Sequence, residues 1–584
     1  MKLPTKPEKT AAALCRPSRA VWGLIALVST LFVPDRVCAE KDGRPNIIFI
    51  LTDDQRADSL GCMGNPVVKT PNLDRLAEDG TLFVNATVTS TLCTPSRASF
   101  FTGQFERTHG INFNSGTAMS KEAWGATYPM LLQKAGYFVA YIGKNHVPVG
   151  SEGYATGWMD ESFDYWYAGH EHLTFYPKER PAFALKIPGI DERMFDNAKA
   201  DTQTEVLEEG VENFLQPGED FVEKAARALK MRPRDRPFCL SLAFNLPHDA
   251  ATSSMQDRVG DLELYRTGYH ELRSDLRAAL PATYLEAANI KEPKLPPDLL
   301  RVGRRQASYD YVNTPEAAVE RIIRWYQTIT GIDAMVGRLR AELAKLSLAD
   351  NTIIVFSSDH GIMSGEFGLG GKALLYDPCL RVPLIVYDPR VPSGARGQRR
   401  EELVQSIDVA PTILDFASVE IPAAMQGKTM VPLVRGDNIP WRKYAFGENF
   451  WSTDFGNPRC DSVRSLQWKY IRYFPNEASL FDDVADLPDS LRIKVSHRQA
   501  ARYREWLSAP VRGEKPVYEE LFDLSKDSDE VVNVAGDERF HEVLEKYRMI
   551  CDQLAKEAMG DGPPETIELQ GERLEFHLKK IKPE

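Results

Sequence analysis

Polar residues stand at the ends of short apolar runs along this chain: Asp53 and Asp54 after 46–51, Lys144 and His146 after 137–142, His248 after 238–244, Asp359 and His360 after 352–357. In an open α/β sheet, ligands bind beyond the carboxyl ends of the strands, so these residues converge if the runs pair side by side. Carboxylates brought from two distant segments make a hard, oxygen-rich site that suits Ca2+ or Mg2+ better than zinc. Lysines and histidines beside them would answer an anionic substrate. Taken singly, an Asp-Asp pair at a strand end is a common loop cap; the conjunction of segments gives it chemical meaning. A further segment, Leu92-Cys93-Thr94-Pro95-Ser96-Arg97, puts Pro95 in the first turn of a helix with Cys93 just upstream. Free backbone donors and the positive helix end favour an anion or an ionised nucleophile there.

The elements that must hold these residues follow from the pattern between them. Each run is short, continuous and rich in Ile, Val, Leu or Phe, as strands covered on both faces are. Between the runs lie a helix over 71–79, with Thr70 as cap and Gly80 as stop, a strand over 81–88, and short helices over 96–102 and 128–134. Apolar residues at Ile322, Tyr326, Ile329, Ile332, Met335, Leu339 and Leu343 mark one long amphipathic helix over 314–346 that leads into the run at Thr352. Alternating strands and helices predict an α/β fold, a mostly parallel central sheet with helices on both faces. Residues 151–236 and 250–313 are irregular and rich in aromatics and charge, as loops that line or lid a site are. Among them, Trp158, Trp166, Tyr167, His170 and His172 would either stack on sugar rings or pack the loops. Beyond Pro440 the pattern changes to short strand-like pieces such as 468–473 and a terminal helix near 538–557, a smaller α+β lobe. The expected division is a signal peptide over 1–39, a catalytic domain over 40–440 and a C-terminal subdomain over 441–584.

The 584 residues carry 71 Lys and Arg against 83 Asp and Glu, a formal charge of −12, which argues against a nucleic-acid partner. With 43% hydrophobic and 26% charged residues the chain is globular rather than disordered. A basic start, an apolar run from Val21 to Val33 and a small-residue site at Val37-Cys38-Ala39 form a secretory signal pattern. That run is shorter than the ~20 residues of a spanning helix, so no transmembrane anchor is expected. The protein is expected to be secreted or periplasmic. Its eight cysteines lack the spacing of a disulfide framework, although one or two bridges remain open. The Asn85-Ala86-Thr87 glycosylation triplet falls within a strand-like run, which favours a bacterial periplasm.

Cys93-Thr94-Pro95-Ser96-Arg97, followed by Thr102-Gly103, resembles the principal motif of the formylglycine-dependent (type I) sulfatases of the alkaline phosphatase-like superfamily. The likeness continues through Gly136-Tyr137, Gly143-Lys144-Asn145-His146, Pro247-His248, Ser358-Asp359-His360-Gly361 with Lys372, Arg381-Val382-Pro383, Asp408 to Thr412, and Glu520 to Leu524. Thr91 and Val139 depart from the family's usual residues, and His360 stands where Asn is frequent, nitrogen being a poorer Ca2+ ligand than oxygen. Cys15-Arg16-Pro17-Ser18-Arg19 repeats the motif letters but has no strand before it and no Thr-Gly after it, so it reads as chance.

The resemblance implies that Cys93 is oxidised to formylglycine (3-oxoalanine) by a sulfatase-maturing enzyme, and that the hydrated aldehyde attacks sulfur. It implies one Ca2+ held by Asp53, Asp54, Asp359, His360 and residue 93, with Arg97 steadying the diol. Lys144, His146 and Lys372 would neutralise sulfate oxygens, and His248 would protonate the leaving alkoxide. The implied substrate is a sulfate monoester, and a sulfated carbohydrate is the expectation. Two other functions stay open at this point: hydrolysis of phosphomonoesters or phosphonates by the same superfamily, and sulfated-glycan binding with Cys93 unmodified.

Overall fold

The run Asn46–Thr52 forms strand β1, buried along its whole length. Ile47, Phe49 and Leu51 face one hydrophobic core while Ile48 and Ile50 face another, which is why the run is apolar without alternation. The structure is a computed structural model that describes residues 43–112, 117–151, 158–170, 174–175, 221–248, 263–296, 299, 312–450, 458–475, 501–560 and 566–568. The expected signal peptide over 1–39, with Cys15 and Cys38, lies outside the described residues, as do His172 and the side chains of Trp158 and His170.

β1 is the centre of a nine-stranded sheet. The other strands are β2 (Thr81–Phe83), β3 (Phe138–Asn145), β4 (Tyr165–His170), β5 (Thr174–Phe175), β6 (Phe238–Ala243), β7 (Thr352–Ser358), β8 (Leu384–Tyr387) and β9 (Gln398–Arg400). Their order is β9-β2-β8-β7-β1-β6-β3-β4-β5. The middle strands β7, β1, β6, β3 and β4 all run parallel, so their carboxyl ends share one edge; β8 and β5 run antiparallel to their neighbours. The mostly parallel α/β sheet expected from the sequence is therefore present.

Helix α1 (Pro71–Asp79) buries Leu73, Leu76 and Ala77. Thr70 does not cap it through its side chain; its hydroxyl donates to Asp74, while the amides of Asn72 and Leu73 donate to Asp333 at 2.9 and 2.7 Å. A carboxylate from a distant helix thus replaces the local cap. Helix α2 (Cys93–Thr102) is buried throughout and begins at Cys93 itself, so the cysteine sits in the first turn rather than just before it. Helix α3 (Tyr128–Lys134) has the expected bounds, and β3 continues past Ile142 through Lys144 to Asn145. The run 81–88 divides: β2 joins the main sheet, and Ala86–Thr87 pairs with Val404–Gln405.

The irregular stretch 151–236 contains β4 and helix α4 (Phe221–Met231), which its weak periodicity concealed. Trp166, on β4, is 6% exposed and stacks on Tyr141 at 5.3 Å between centroids. It is packed in the core and cannot meet a sugar; Tyr167 is half-buried near Phe221. Helix α5 (Pro315–Lys345) spans the predicted length, with the Thr314 hydroxyl capping the amide of Ala317, and lays Ile329, Ile332, Met335, Leu339 and Leu343 on the β1 core.

Strands β10 (Ala445–Asn449), β11 (Cys460–Arg464), β12 (Trp468–Tyr473) and β13 (Tyr518–Asp523) form a second, antiparallel sheet. Helix α6 (His541–Ala558) packs Leu544, Tyr547, Cys551 and Ala555 against Phe446, Val463, Tyr470 and Leu521. Cys62, Cys93, Cys239, Cys379, Cys460 and Cys551 are all unbridged. Among the described residues, no helix is long and apolar enough to cross a membrane.

Candidate active site

The register of β1 against β7 places Thr52 opposite Ser358, so the next residues, Asp53 and Asp359, leave the sheet side by side. The Asp359 amide donates to Thr52 O at 3.0 Å, and the Asp53 amide to Leu246 O at 3.1 Å, two residues before His248. The chain then turns sharply at Asp54, which has a left-handed φ of 60°. Its amide donates to Asp359 Oδ1 at 3.3 Å, and that of Gln55 to Ser358 Oγ at 3.0 Å. Such a conformation in a non-glycine residue stores strain and persists only where surrounding bonds fix it.

Cys93 enters this edge from the N-terminus of α2. Its Sγ lies 3.6 Å from Asp53 Oδ1, 3.2 Å from His360 Nε2 and 3.2 Å from Lys372 Nζ. Lys372 also donates to Asp54 Oδ1 at 3.1 Å, and His360 Nδ1 is 3.0 Å from the same oxygen. Lys144 Nζ is paired with Asp53 Oδ2. Arg97, one turn along α2 from Cys93, donates from Nε to Asp359 Oδ2 at 2.8 Å and from Nη2 to Asp53 Oδ2 at 3.1 Å. Its remaining hydrogens reach the carbonyls of Lys144 and Phe244. His146 is buried just past β3 on the same edge. His248 is the more open member, its side chain 12% exposed and its Nε2 3.8 Å from Asp54 Oδ2.

Electrostatics matches this geometry. Burial opposes ionisation of Asp53, yet Lys144, His248, Arg97 and Lys372 hold its carboxyl well below the usual carboxylate range. For Arg97, burial works against the charge, and Asp359 and Asp53 more than restore it. Asp54 Oδ2 is buried and accepts no hydrogen bond. A carboxylate oxygen left in that state is costly unless a cation satisfies it. Donor atoms of Asp53, Cys93, Asp359 and His360 lie within 4.8 Å of one another, as do those of Asp53, Asp54 and His248. The residues present fit a hard divalent ion.

The sequence-derived candidates therefore meet at one place. Their spacing did not reveal the residues that tie the loops together. Arg56, two residues beyond Asp54, pairs with Glu366, six residues before Lys372. Nothing but opposite charge sign relates these positions in the sequence.

A parallel sheet covered on both faces, with carboxylates and cations at its carboxyl edge, is the architecture of the alkaline phosphatase-like superfamily. The sulfatase family model matches residues 45–419, and the model for the C-terminal part of N-sulphoglucosamine sulphohydrolase matches residues 365–509. The chain belongs to the sulfatase family, enzymes that hydrolyse sulfuric esters. It is 26% identical to an N-acetylglucosamine-6-O-sulfatase of Bacteroides thetaiotaomicron, over 86% of this chain and 91% of that one. It is 27% identical to the human N-acetylglucosamine-6-sulfatase, over 84% and 81%. A protein solved in complex with its substrate D-glucosamine-2-N,6-O-disulfate superposes with a TM-score of 0.58 at 22% identity, covering 89% of this chain and 99% of that one. A phosphonate monoester hydrolase of Agrobacterium radiobacter superposes equally well, TM-score 0.58 at 20% identity over 88% and 96%, so fold alone does not select the ester.

Proposed function

We propose that this enzyme hydrolyses the sulfate monoester of a sulfated carbohydrate, with residue 93 as the nucleophile after oxidation of its thiol to formylglycine by a maturing enzyme. The observation that carries this reading is the surroundings of Cys93 Sγ, with Lys372 and His360 at 3.2 Å and a buried, unbonded Asp54 oxygen on the same edge. Hydrated formylglycine would supply the oxygen that attacks sulfur, a role a thiol cannot fill with the same release of product. A Ca2+ held by Asp53, Asp54, Asp359 and His360 would supply positive charge against the sulfate.

The chain's own residues do the rest. Lys372, between Asp54 and residue 93, meets a sulfate oxygen and stabilises the charge that builds as the ester bond breaks. Lys144 and His146 line the same edge and answer further oxygens. Arg97 directs its hydrogens to Asp53, Asp359 and two carbonyls, so it fixes the carboxylates and holds residue 93 on a rigid turn. His248, at the open side with its Nε2 3.8 Å from Asp54 Oδ2, hands a proton to the leaving alkoxide. The relatives' activity on glucosamine sulfates makes a 6-sulfated hexosamine the first compound to try. With a leader over 1–39, the enzyme would act outside the cytoplasm.

The test is to co-express the chain with a formylglycine-generating enzyme, take the mass of the Cys93 peptide, and compare rates on N-acetylglucosamine 6-sulfate, an aryl sulfate and an aryl phosphate. An aldehyde at position 93 with turnover of the sugar sulfate is expected. Turnover of aryl phosphate in preference to both sulfates, or an unmodified thiol, would overturn the reading.

A further inference from the structure

Lys372 must hold its ammonium between two groups on other segments, at 3.1 Å from Asp54 and 3.2 Å from Cys93. A lysine side chain is long and rich in rotamers, so this requires a fixed backbone beneath it. Lys372 follows directly on a hairpin of minimal size, Met363–Ser364 against Gly370–Gly371. A two-stranded hairpin of that length does not hold itself in water. Its position comes from ties made by its tip, residues 365–369, and by the residue that follows Lys372.

Three ties are visible. Ala373, at a left-handed φ of 67°, donates its amide to Thr91 O at 3.1 Å, anchoring the loop beside the Cys93 segment. At the tip, Phe367 N donates to Thr283 O at 2.8 Å and Leu285 N to Gly365 O at 2.9 Å, pairing the hairpin with the segment after β6. The third tie is through a side chain. Glu366, 5% exposed, pairs with Arg56 Nη1, and its other oxygen accepts the amide of Ser364 at 2.6 Å. Arg56 is fixed in turn, donating to Ile362 O at 3.3 Å and to both oxygens of Asp58 at 2.9 and 2.7 Å. Arg56 belongs to the loop that begins with Asp53 and Asp54. The Arg56–Glu366 pair is therefore a second link, remote from the chemistry, between the two loops that Lys372 and Asp54 join at the centre.

A buried ion pair brings little net stability against its desolvation cost, and its best use is to specify one arrangement. We propose that Glu366 is a positioning residue for sulfate recognition, acting through Arg56 and the hairpin to set Lys372 against Asp54 and residue 93. This rests on the sulfate-ester reading above and deepens it by naming what aims one of the sulfate-binding groups. Neither Arg56 nor Glu366 hydrogen-bonds to Cys93 or to the groups around its Sγ, so loss of the pair acts through the loops.

The experiment is a double-mutant cycle between Glu366→Gln and Lys372→Ala, read by kcat/KM on a sulfate ester and by calorimetric affinity for inorganic sulfate. The glutamine keeps the shape and the bond to Ser364 while removing the charge. In the wild-type background Glu366→Gln is expected to lower both quantities about 10- to 100-fold, as supporting residues of a site do. In the Lys372→Ala background the same change is expected to cost less than about twofold, because the group it aims is gone. Equal losses in the two backgrounds, or no loss in either, overturn the proposal. Should Glu366→Gln fail to fold, Arg56→Lys, which keeps the charge and loses the planar fork, carries the same cycle. Sulfate binding needs no turnover, so a wild-type protein that binds sulfate but hydrolyses no sulfate ester removes the proposed function while the cycle still decides the role of Glu366.

Discussion

Two of the buried-charge clusters among the described residues, around Arg107 and around Cys93, are built to opposite ends. Around Arg107 every donor has a partner: its amide and Nε donate to Glu448, Nη1 to Leu507 O at 2.6 Å and Nη2 to Asp461, with the Phe450 ring 4.6 Å from the guanidinium carbon. Asp461 also accepts from Arg472, which reaches Asp552. Around Cys93 the carboxylates of Asp53, Asp54 and Asp359 crowd one edge, one oxygen of Asp54 has no hydrogen bond, and Asp54 and Ala373 hold left-handed backbones. Burial of charge is thus no sign of chemistry by itself. The crowding of three carboxylates beside residue 93 and the strained turn at Asp54 are what separate the site from the strut.

Mutations should divide along the same line. Cys93→Ala removes the proposed nucleophile and is expected to abolish turnover while the melting temperature changes little; more than a tenth of wild-type activity would make the two clusters functionally alike. Arg107→Ala leaves Glu448 buried without its cation and takes one of two arginines from Asp461, and is expected to cost about 3–5 kcal/mol of stability. Denaturant titration measures it, and protein that remains folded should keep its kcat. Lys372→Ala should do the reverse, lowering the rate ~10²–10³-fold, as loss of one preorganised charge-stabilising group does, with less effect on unfolding.

The smallest effect concerns pH. Burial first, and then Glu448, push the carboxyl of Glu106 up to about 8 from its ordinary 4.5. The folded state therefore holds a proton that the unfolded chain releases, so this group's contribution to stability is full below 4.5 and is lost as pH rises toward about 8. Glu106→Gln should flatten that decline, leaving stability near wild type at pH 5 and above it near pH 8. Denaturant midpoints at the two pH values check it. Glu448, raised to about 7 by burial, keeps part of the slope in the variant.

Much of the site was legible because strand ends are marked twice in a sequence, by an apolar run and by the polar residue that ends it. Asp53, Lys144, His248 and Asp359 were each found that way, and the sheet brings their segments to one edge. Helices were legible where the 3.6-residue period was strong, as in α5, and hidden where it was weak, as in α4. The stretch holding Trp166 reads as a loop whose aromatics either stack on sugars or pack, and β4 turns that ring into the core. Aromatic content alone does not say which way a side chain points.

The sequence by itself determined the sheet, the Cys93 motif and the donor types around it, because periodicity and residue chemistry are local properties. Only the tertiary structure decided that Asp333 caps α1, that Arg97 directs its hydrogens to two carboxylates, and that Glu366 meets Arg56. Those pairings join positions from 44 to 310 residues apart, and their geometry is fixed by how the strands and loops pack, which no short window of sequence contains.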